Sequence, residues 1–117
     1  MTDHMTESDY RSALCGSAGY VQEQRLPNGT RADCVSDTHA IEMDFTSKWA
    51  EAIGQSLSYA AETGKPPAVI LICKTGTERK CLQHSLLLEQ TAKHWQLPIK
   101  VWLCDADARR LTDCVER

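Results

Sequence analysis

The sequence lacks a long hydrophobic run and an excess of basic charge. The longest apolar stretch, residues 68–73, is far shorter than the roughly 18 residues that a membrane span needs, so we expect no membrane contact. A net charge of −3 and a pI near 5.8 exclude a protein coated in basic charge for bulk nucleic-acid binding. A small nucleic-acid site stays open, because an acidic metal site would cancel basic residues in this count.

A standard secretory signal is also absent from the sequence. The first ten residues hold neither its basic segment nor its apolar segment, so the cytoplasm is the expected location. The length of 117 residues is typical of one domain, and we expect a single domain over residues 1–117. A composition of 42% hydrophobic and 25% charged residues is that of a soluble globular protein.

The six cysteines include no Cys-x-x-Cys pair, and the closest two, Cys73 and Cys81, are eight residues apart. A zinc site built on close ligand pairs is therefore not expected. Cysteine content is about 5%, below the roughly 8–10% of a disulfide scaffold. Cys34 and Cys104 lie in predicted strands, where a free thiol packs as a small hydrophobe. We predict six reduced thiols; the alternative is a disulfide-bonded protein exported without a standard signal.

The hydrophobic pattern and turn signals predict the element order α-β-β-β-α-β-α-β-α. The predicted segments are helix 7–15, strands 20–26, 30–36 and 39–44, helix 48–62, strand 68–73, helix 77–95, strand 99–104 and helix 105–115. Three short strands in succession favour an antiparallel meander. The apolar run at 68–73 is typical of a central strand covered on both faces. Together these elements predict a mixed α/β sheet flanked by helices.

Acidic side chains are predicted to converge on one face of the meander. Side chains alternate along a strand, so Glu42 and Asp44 share a face, and the adjacent strand can place Asp33 beside Glu42. Three such carboxylates repel one another unless a cation lies among them, and Mg²⁺ is bound by one or two carboxylates plus water. The alternative is that these charges face solvent on an edge strand.

The following helix carries polar residues on one stripe. Lys48, Gln55 and Tyr59 are spaced at i, i+7 and i+11, which places them on one side of a helix. This stripe begins four residues after Asp44 and therefore beside the carboxylates. A separate apolar face is assigned to Trp49, Ile53, Leu57 and Ala60. The alternative for Lys48 by itself is a solvated surface lysine.

The order of Asp33, then Glu42-Met43-Asp44, then Gln55-Ser-Leu-Ser-Tyr59 in a helix resembles the PD-(D/E)XK nuclease superfamily. The spacing is similar to the RecB-like and lambda-exonuclease-like branch, whose helix carries a Gln-x-x-x-Tyr motif. Residues 31–55 are also similar to small uncharacterised bacterial and phage proteins of that superfamily. The resemblance spans roughly residues 7–73 and implies a restriction-endonuclease-like αβββαβ core.

The resemblance implies Mg²⁺- or Mn²⁺-dependent hydrolysis of DNA phosphodiester bonds. Asp33 and Glu42 match the two metal-binding acids, and the backbone carbonyl of Met43 would be the third ligand. Glu7 matches the position of an additional acid, and Glu23 is a competitor for that role. We therefore expect DNA as the partner; the sequence leaves open a homodimer or a partner subunit.

The chain departs from the motif at one position. The motif lysine should stand two residues after Glu42, where this chain has Asp44. Some members of the superfamily supply the lysine from the helix, so we take Lys48 as the replacement. Gln55 and Tyr59 match the motif that orients the active site and the DNA strand.

Further contacts to nucleic acid are expected from Arg25 and Arg31, as candidates for backbone phosphates. The alternative function is a catalytically inactive nuclease-fold protein that acts as a nucleic-acid- or protein-binding module. The low pI and the presence of Asp44 favour that alternative. A third hypothesis, an enzyme of another class that uses reactive cysteines, has only the cysteine count in its support.

Overall fold

The computed structural model describes residues 5–117 and places six strands in one sheet, in the order of the chain. The strands are β1 (Val21–Arg25), β2 (Arg31–Val35), β3 (Ala40–Phe45), β4 (Pro67–Ile72), β5 (Lys100–Cys104) and β6 (Val115–Glu116). β1, β2 and β3 pair antiparallel, β3, β4 and β5 pair parallel, and β6 pairs antiparallel with β5. The predicted α/β class and the mixed sheet are confirmed.

In the described residues, three helices connect and cover the strands. α1 (Glu7–Arg11) begins with a capping box between Thr6 and Asp9 and continues as a π-helical turn, Ser12–Gly16. α2 (Trp49–Thr63) follows a 3₁₀ turn, Thr46–Lys48, and α3 (Glu78–His94) links β4 to β5. α2 ends at Gly64, whose φ of +72° is left-handed and is adopted at low cost by glycine. No helix within residues 5–117 has the length and hydropathy that crossing a membrane takes.

The two faces of the sheet carry separate apolar clusters. Ile41 and Met43 of β3 pack with α1 and the π-helical turn on one face. Val69 and Leu71 of β4 pack with α2 and α3 on the other. β4 is buried along its whole length, as the apolar run predicts. Because side chains alternate along β3, its acidic residues lie on the face that α2 covers.

The buried face of α2 differs from the prediction. Ala52, Ser56 and Tyr59 are buried, whereas Trp49 and Ile53 are only partly buried against the same cluster. Small side chains at the contact allow a helix axis to lie close to its neighbour, and Ala52 and Ser56 supply them. Tyr59 therefore faces the sheet, and the polar stripe and the packing face overlap at this residue.

The predicted helix over residues 105–115 is wrong. This segment forms a turn, a 3₁₀ turn at Leu111–Asp113 and the short strand β6. The side chain of Asp113 accepts hydrogen bonds from the backbone N–H groups of Arg109 and Arg110, both at 3.1 Å. Side-chain oxygens that bond nearby backbone groups compete with helix formation, which explains the difference.

The prediction of six reduced cysteines is wrong. All six are paired, as Cys15–Cys34, Cys73–Cys81 and Cys104–Cys114. The Cα atoms of these pairs are 6.3, 5.6 and 4.4 Å apart, within the range of protein disulfides. The spacing and the content of cysteine carry no information about which ends of strands and helices meet in the fold. The disulfide pairing therefore could not be predicted from the sequence.

Candidate functional site

A cleft of about 310 Å³ opens between the end of β3 and the start of α2. We call it the acidic cleft. It is lined by Glu7, Asp33, Glu42, Met43, Asp44, Lys48, Glu51, Gln55 and Tyr59. With the exception of Glu51, these residues are the ones that the sequence singles out, and they come from α1, β2, β3 and α2 with its N-cap. The fold therefore brings together side chains that are up to 52 positions apart in the chain.

Asp33 enters the acidic cleft where β2 and β3 separate. The two strands pair at Cys34 with Ile41 and at Val35 with Ala40, and continuing this register would set Asp33 opposite Glu42. Instead of a further strand pair, the backbone N–H of Met43 donates to Oδ2 of Asp33 at 2.8 Å. This bond holds the carboxylate of Asp33 against the edge of β3, beside Glu42.

Glu42 and Asp44 are buried acids, with relative exposures of 4% and 5%. Burial, followed by hydrogen bonds with Asp44 and Asp33, raises the pKa of Glu42 to about 11. Burial is also the largest cause that raises the pKa of Asp44. Within residues 5–117, Oδ2 of Asp44 is the one buried side-chain N or O atom without a hydrogen-bond partner. A buried oxygen of this kind is costly unless a cation or a donor reaches it.

Glu7, rather than Glu23, is the additional acid of the acidic cleft. Burial raises the pKa of Glu7, the charges of Asp44 and Asp33 raise it further, and the charges of Lys48 and Arg11 lower it. Glu23 lies outside the cleft lining and forms ion pairs with two arginines. α1 thus completes the acidic group from a segment that precedes the whole sheet.

The polar residues of α2 lie along the opposite wall of the acidic cleft. Lys48 is the exposed N-cap residue of α2, and its charge lowers the pKa of Asp44. Gln55 is exposed two turns later, while Tyr59 is buried. Burial raises the pKa of the Tyr59 phenol, and the charge of Glu42 and a hydrogen bond with it add to this shift.

The donor set of the acidic cleft is oxygen only, which suits a hard divalent cation. Within residues 5–117, no group of three or more His, Cys, Asp and Glu side chains is placed to hold a metal ion jointly. Mg²⁺ is commonly bound by one or two carboxylates, with waters and substrate phosphates as its other ligands. Asp33, Glu42 and the carbonyl of Met43 could hold such an ion.

Arg25 and Arg31 lie outside the lining of the acidic cleft. They face each other as the last register pair of the β1–β2 hairpin, and both are exposed. Arg31 pairs with Glu23 at 3.6 Å. These arginines therefore mark a basic end of the hairpin and are not part of the cleft itself.

Arg11 and Glu51 are the site residues that the sequence analysis missed. Nη1 of Arg11 lies 3.4 Å from Oδ1 of Asp33, and Nη2 lies 3.3 Å from Oε1 of Glu23. Arg11 follows Glu7 by four residues, a spacing that puts both on one helix face, and this signal could have indicated it. Glu51 adds a charge that raises the pKa of Asp44.

Comparisons with known proteins give no relative for this chain. No protein family matches it, and neither a curated protein nor a solved structure matches it. The resemblance to the PD-(D/E)XK superfamily stays a prediction from the sequence motifs. The acidic cleft is therefore the feature of this chain that bears on its function.

Proposed function

We propose that this protein is a Mg²⁺- or Mn²⁺-dependent deoxyribonuclease that hydrolyses phosphodiester bonds. The observation that carries the proposal is the acidic cleft, in which two buried acids of β3 and partly buried acids of α1 and β2 share one lining with a lysine, a glutamine and a tyrosine from the N-cap and body of α2. After burial, the nearby carboxylates of Asp33 and Asp44 raise the pKa of Glu42, and a bound cation would relieve this repulsion. The order and spacing of the same residues resemble a nuclease superfamily.

The residues of the acidic cleft fit a divalent cation. Oδ2 of Asp44 is buried without a hydrogen-bond partner in the described part of the chain, and Glu42 is too deeply buried to ionise readily alone. Asp33 and Glu42 would hold the ion together with the Met43 carbonyl. When bound, the ion would polarise the phosphoryl group and lower the pKa of the attacking water.

The α2 residues would act on the substrate. The exposed ammonium of Lys48 would stabilise the negative charge that develops on the phosphoryl oxygens. Gln55 would position Lys48 or the attacking water from the same wall. Tyr59 would contact a nucleotide at the inner end of the cleft. Arg25 and Arg31 would bind backbone phosphates beyond the cleft, where the exposed end of the hairpin presents them.

The proposal also includes the cellular compartment in which the protein acts. A cytoplasmic location is the expectation from the N-terminal sequence, but disulfides are rare in that compartment and persist in oxidising ones. The three paired cysteines favour an oxidising compartment, and we include this in the proposal.

The test combines a metal titration with a cleavage assay. Millimolar Mg²⁺ or Mn²⁺ should raise the melting temperature, because a ligand of the folded state stabilises it. The shift should vanish in Asp33→Ala and Glu42→Ala and persist in Glu116→Ala, an acid on β6 outside the cleft lining. Linear, nicked, branched and single-stranded DNA are then incubated with each protein and metal. A melting temperature that no divalent metal changes would overturn the proposal.

A non-catalytic nuclease-fold protein is the second candidate. The observation in its favour is Asp44, which is buried where the superfamily motif has a lysine and adds a further acid to the site. Such a protein would act as a nucleic-acid- or protein-binding module, alone, as a homodimer or as a subunit. Metal-dependent binding of any DNA on the panel without cleavage is the result expected for this candidate.

A further inference from the structure

Both oxygens of Asp33 have partners on the protein. Oδ2 accepts the N–H of Met43 at 2.8 Å, and Oδ1 faces the guanidinium of Arg11 at 3.4 Å. The Arg11 side chain is 14% exposed, and Arg11 is not among the residues that line the acidic cleft. Arg11 therefore contacts Asp33 without occupying the space where a cation would bind.

The charge of Arg11 is balanced by Glu23. Nη2 of Arg11 lies 3.3 Å from Oε1 of Glu23, and the same oxygen lies 3.6 Å from Nη1 of Arg31. Arg31 has a side-chain exposure of 57%, so solvent screens its charge more than that of Arg11. The Arg11–Glu23 pair is neutral as a unit and leaves the negative charge of Asp33 available to a cation.

The backbone of Glu23 is strained. Its φ is +51°, in the left-handed region that residues other than glycine seldom adopt. The β1–β2 register pairs Gln22 with Cys34 and Gln24 with Ala32, so Glu23 lies opposite Asp33, between two paired positions. Strain of this kind persists where surrounding contacts determine the conformation, and it clusters at functional sites. From this position the Glu23 carboxylate contacts both Arg11 and Arg31.

We propose that Arg11, with Glu23 as its counter-charge, is a positioning residue that fixes the Asp33 carboxylate for cation binding. The proposal rests on the proposed function, since that function has Asp33 hold the ion. A metal ligand whose other contacts are fixed loses less freedom when the ion binds. Removal of such a supporting partner typically weakens metal affinity by about 10–100-fold.

The first measurement is the Mn²⁺ affinity of the full chain without DNA, by titration calorimetry. Arg11→Met should bind Mn²⁺ about 10-fold more weakly than the wild type. Arg11→Lys should be intermediate, because one ammonium cannot span both carboxylates as a guanidinium does. Arg117→Met is the control: it removes an arginine that is ion-paired with Glu89, outside the lining of the acidic cleft, and its affinity should be unchanged. An unchanged or tighter affinity in Arg11→Met overturns the proposal.

The second measurement needs no metal and separates this proposal from the proposed function. In Arg11→Met, the Met43 amide should exchange its hydrogen faster than in the wild type, because its acceptor Asp33 is no longer held. The amides of β4 should keep their protection, which shows that the variant is folded. Unchanged Met43 exchange in folded Arg11→Met and Arg11→Lys overturns the role of Arg11. A wild-type chain that binds no Mn²⁺ overturns the proposed function and with it the cation-binding role of Arg11, whereas normal Mn²⁺ binding with unchanged Met43 exchange overturns the role of Arg11 and leaves the proposed function standing.

Discussion

Lys48 is the residue on which the proposed chemistry depends most. It stands at the N-cap of α2, in the lining of the acidic cleft, and its charge lowers the pKa values of Asp44 and Glu7. Removal of a charge that stabilises the transition state should lower the cleavage rate of Lys48→Ala by about 10²–10³. Mn²⁺ affinity should stay or rise, since a competing cation is gone. Single-turnover cleavage and calorimetry measure the two quantities.

Lys80→Ala is the control for this variant, because Lys80 is an exposed lysine of α3 outside the cleft lining. It should cleave at the wild-type rate. Asp44→Lys in the Lys48→Ala background restores the usual motif spacing and should recover part of the activity. A Lys48→Ala protein as active as the wild type would remove the main mechanistic support for a nuclease.

The buried acids predict a pH dependence of stability in the metal-free protein. Burial, with hydrogen bonds to Asp44 and Asp33, raises the pKa of Glu42 from 4.5 to about 11. Between these two values the folded state keeps a proton that the unfolded state loses, so the free energy of unfolding falls as pH rises. The raised pKa values of Asp44 and Glu7 act in the same direction.

Denaturant unfolding at pH 5 and pH 8 tests this dependence, with Glu42→Gln as the comparison. The wild type should lose more stability than Glu42→Gln between the two pH values, because glutamine has no proton to lose. Comparing the change in stability of the two proteins cancels the effect of other titrating groups. One such group is His39, whose pKa is lowered by burial. Identical pH profiles would show that Glu42 ionises normally in the folded protein.

At the scale of elements, α1 matters because it supplies both Glu7 and Arg11 from only five residues. A helix this short is marginal by itself, and its capping box between Thr6 and Asp9 satisfies backbone groups at its first turn. Thr6→Ala removes one half of the box. We expect a loss of about 1 kcal/mol in the free energy of unfolding, measured with urea.

Ser8→Ala is the matched control for the cap, because Ser8 is an exposed position inside the same helix. Alanine is the better helix former, so this variant should be neutral or slightly stabilised. Mn²⁺ binding should weaken in Thr6→Ala and not in Ser8→Ala, since the first loosens the helix that carries Glu7 and Arg11. Equal stabilities for the two variants would contradict a role for the cap.

The C-terminal segment shows how an element can be assigned wrongly from local signals. Asp105, as a candidate capping residue at the start of the segment, predicts a helix over 105–115. The observed chain turns back, and Val115–Glu116 pairs with the edge of β5. The edge of a sheet offers unpaired backbone groups to any nearby segment, and this attraction is invisible in the segment's own sequence.

At the scale of the whole molecule, the three disulfides join different elements of the fold, over sequence separations of 19, 8 and 10 residues. Cys15–Cys34 connects the turn after α1 to β2, Cys73–Cys81 connects the end of β4 to α3, and Cys104–Cys114 connects β5 to the C-terminal segment. Alkylation of the denatured protein without reductant should modify no cysteine, and six after reduction. Mass spectrometry measures this count. Six modified cysteines without reductant would restore the prediction of free thiols.

Reduction should also lower the melting temperature, because a disulfide limits the conformations of the unfolded chain. Cys15–Cys34 is the disulfide that bears most directly on the acidic cleft. Cys34 adjoins Asp33, and the bond links the π-helical turn after α1 to the strand that carries this acid. A Cys15→Ala, Cys34→Ala protein should be less stable and bind Mn²⁺ more weakly. The Cys104→Ala, Cys114→Ala protein is the control, because its disulfide lies away from the residues of the acidic cleft.

Much of the acidic cleft could be predicted from the sequence, because its signals are local and periodic. A period of two along a strand places Glu42 and Asp44 on one face, and the helical period places Lys48, Gln55 and Tyr59 on one stripe. The turn at 27–29 and the apolar run at 68–73 likewise mark the hairpin and the central strand within a few residues. These patterns depend only on neighbours in the chain.

Only the tertiary structure decided the contacts between distant segments. The cysteine pairs, the choice of Glu7 over Glu23, and the contact of Arg11 with Asp33 all join residues from different elements. None has a repeating signal, since each depends on how the helices and strands pack against one another. The C-terminal strand β6 is another contact of this kind. It forms only by pairing with β5, which ends eleven residues earlier in the chain. Periodicity specifies the faces of elements, and packing specifies which faces meet.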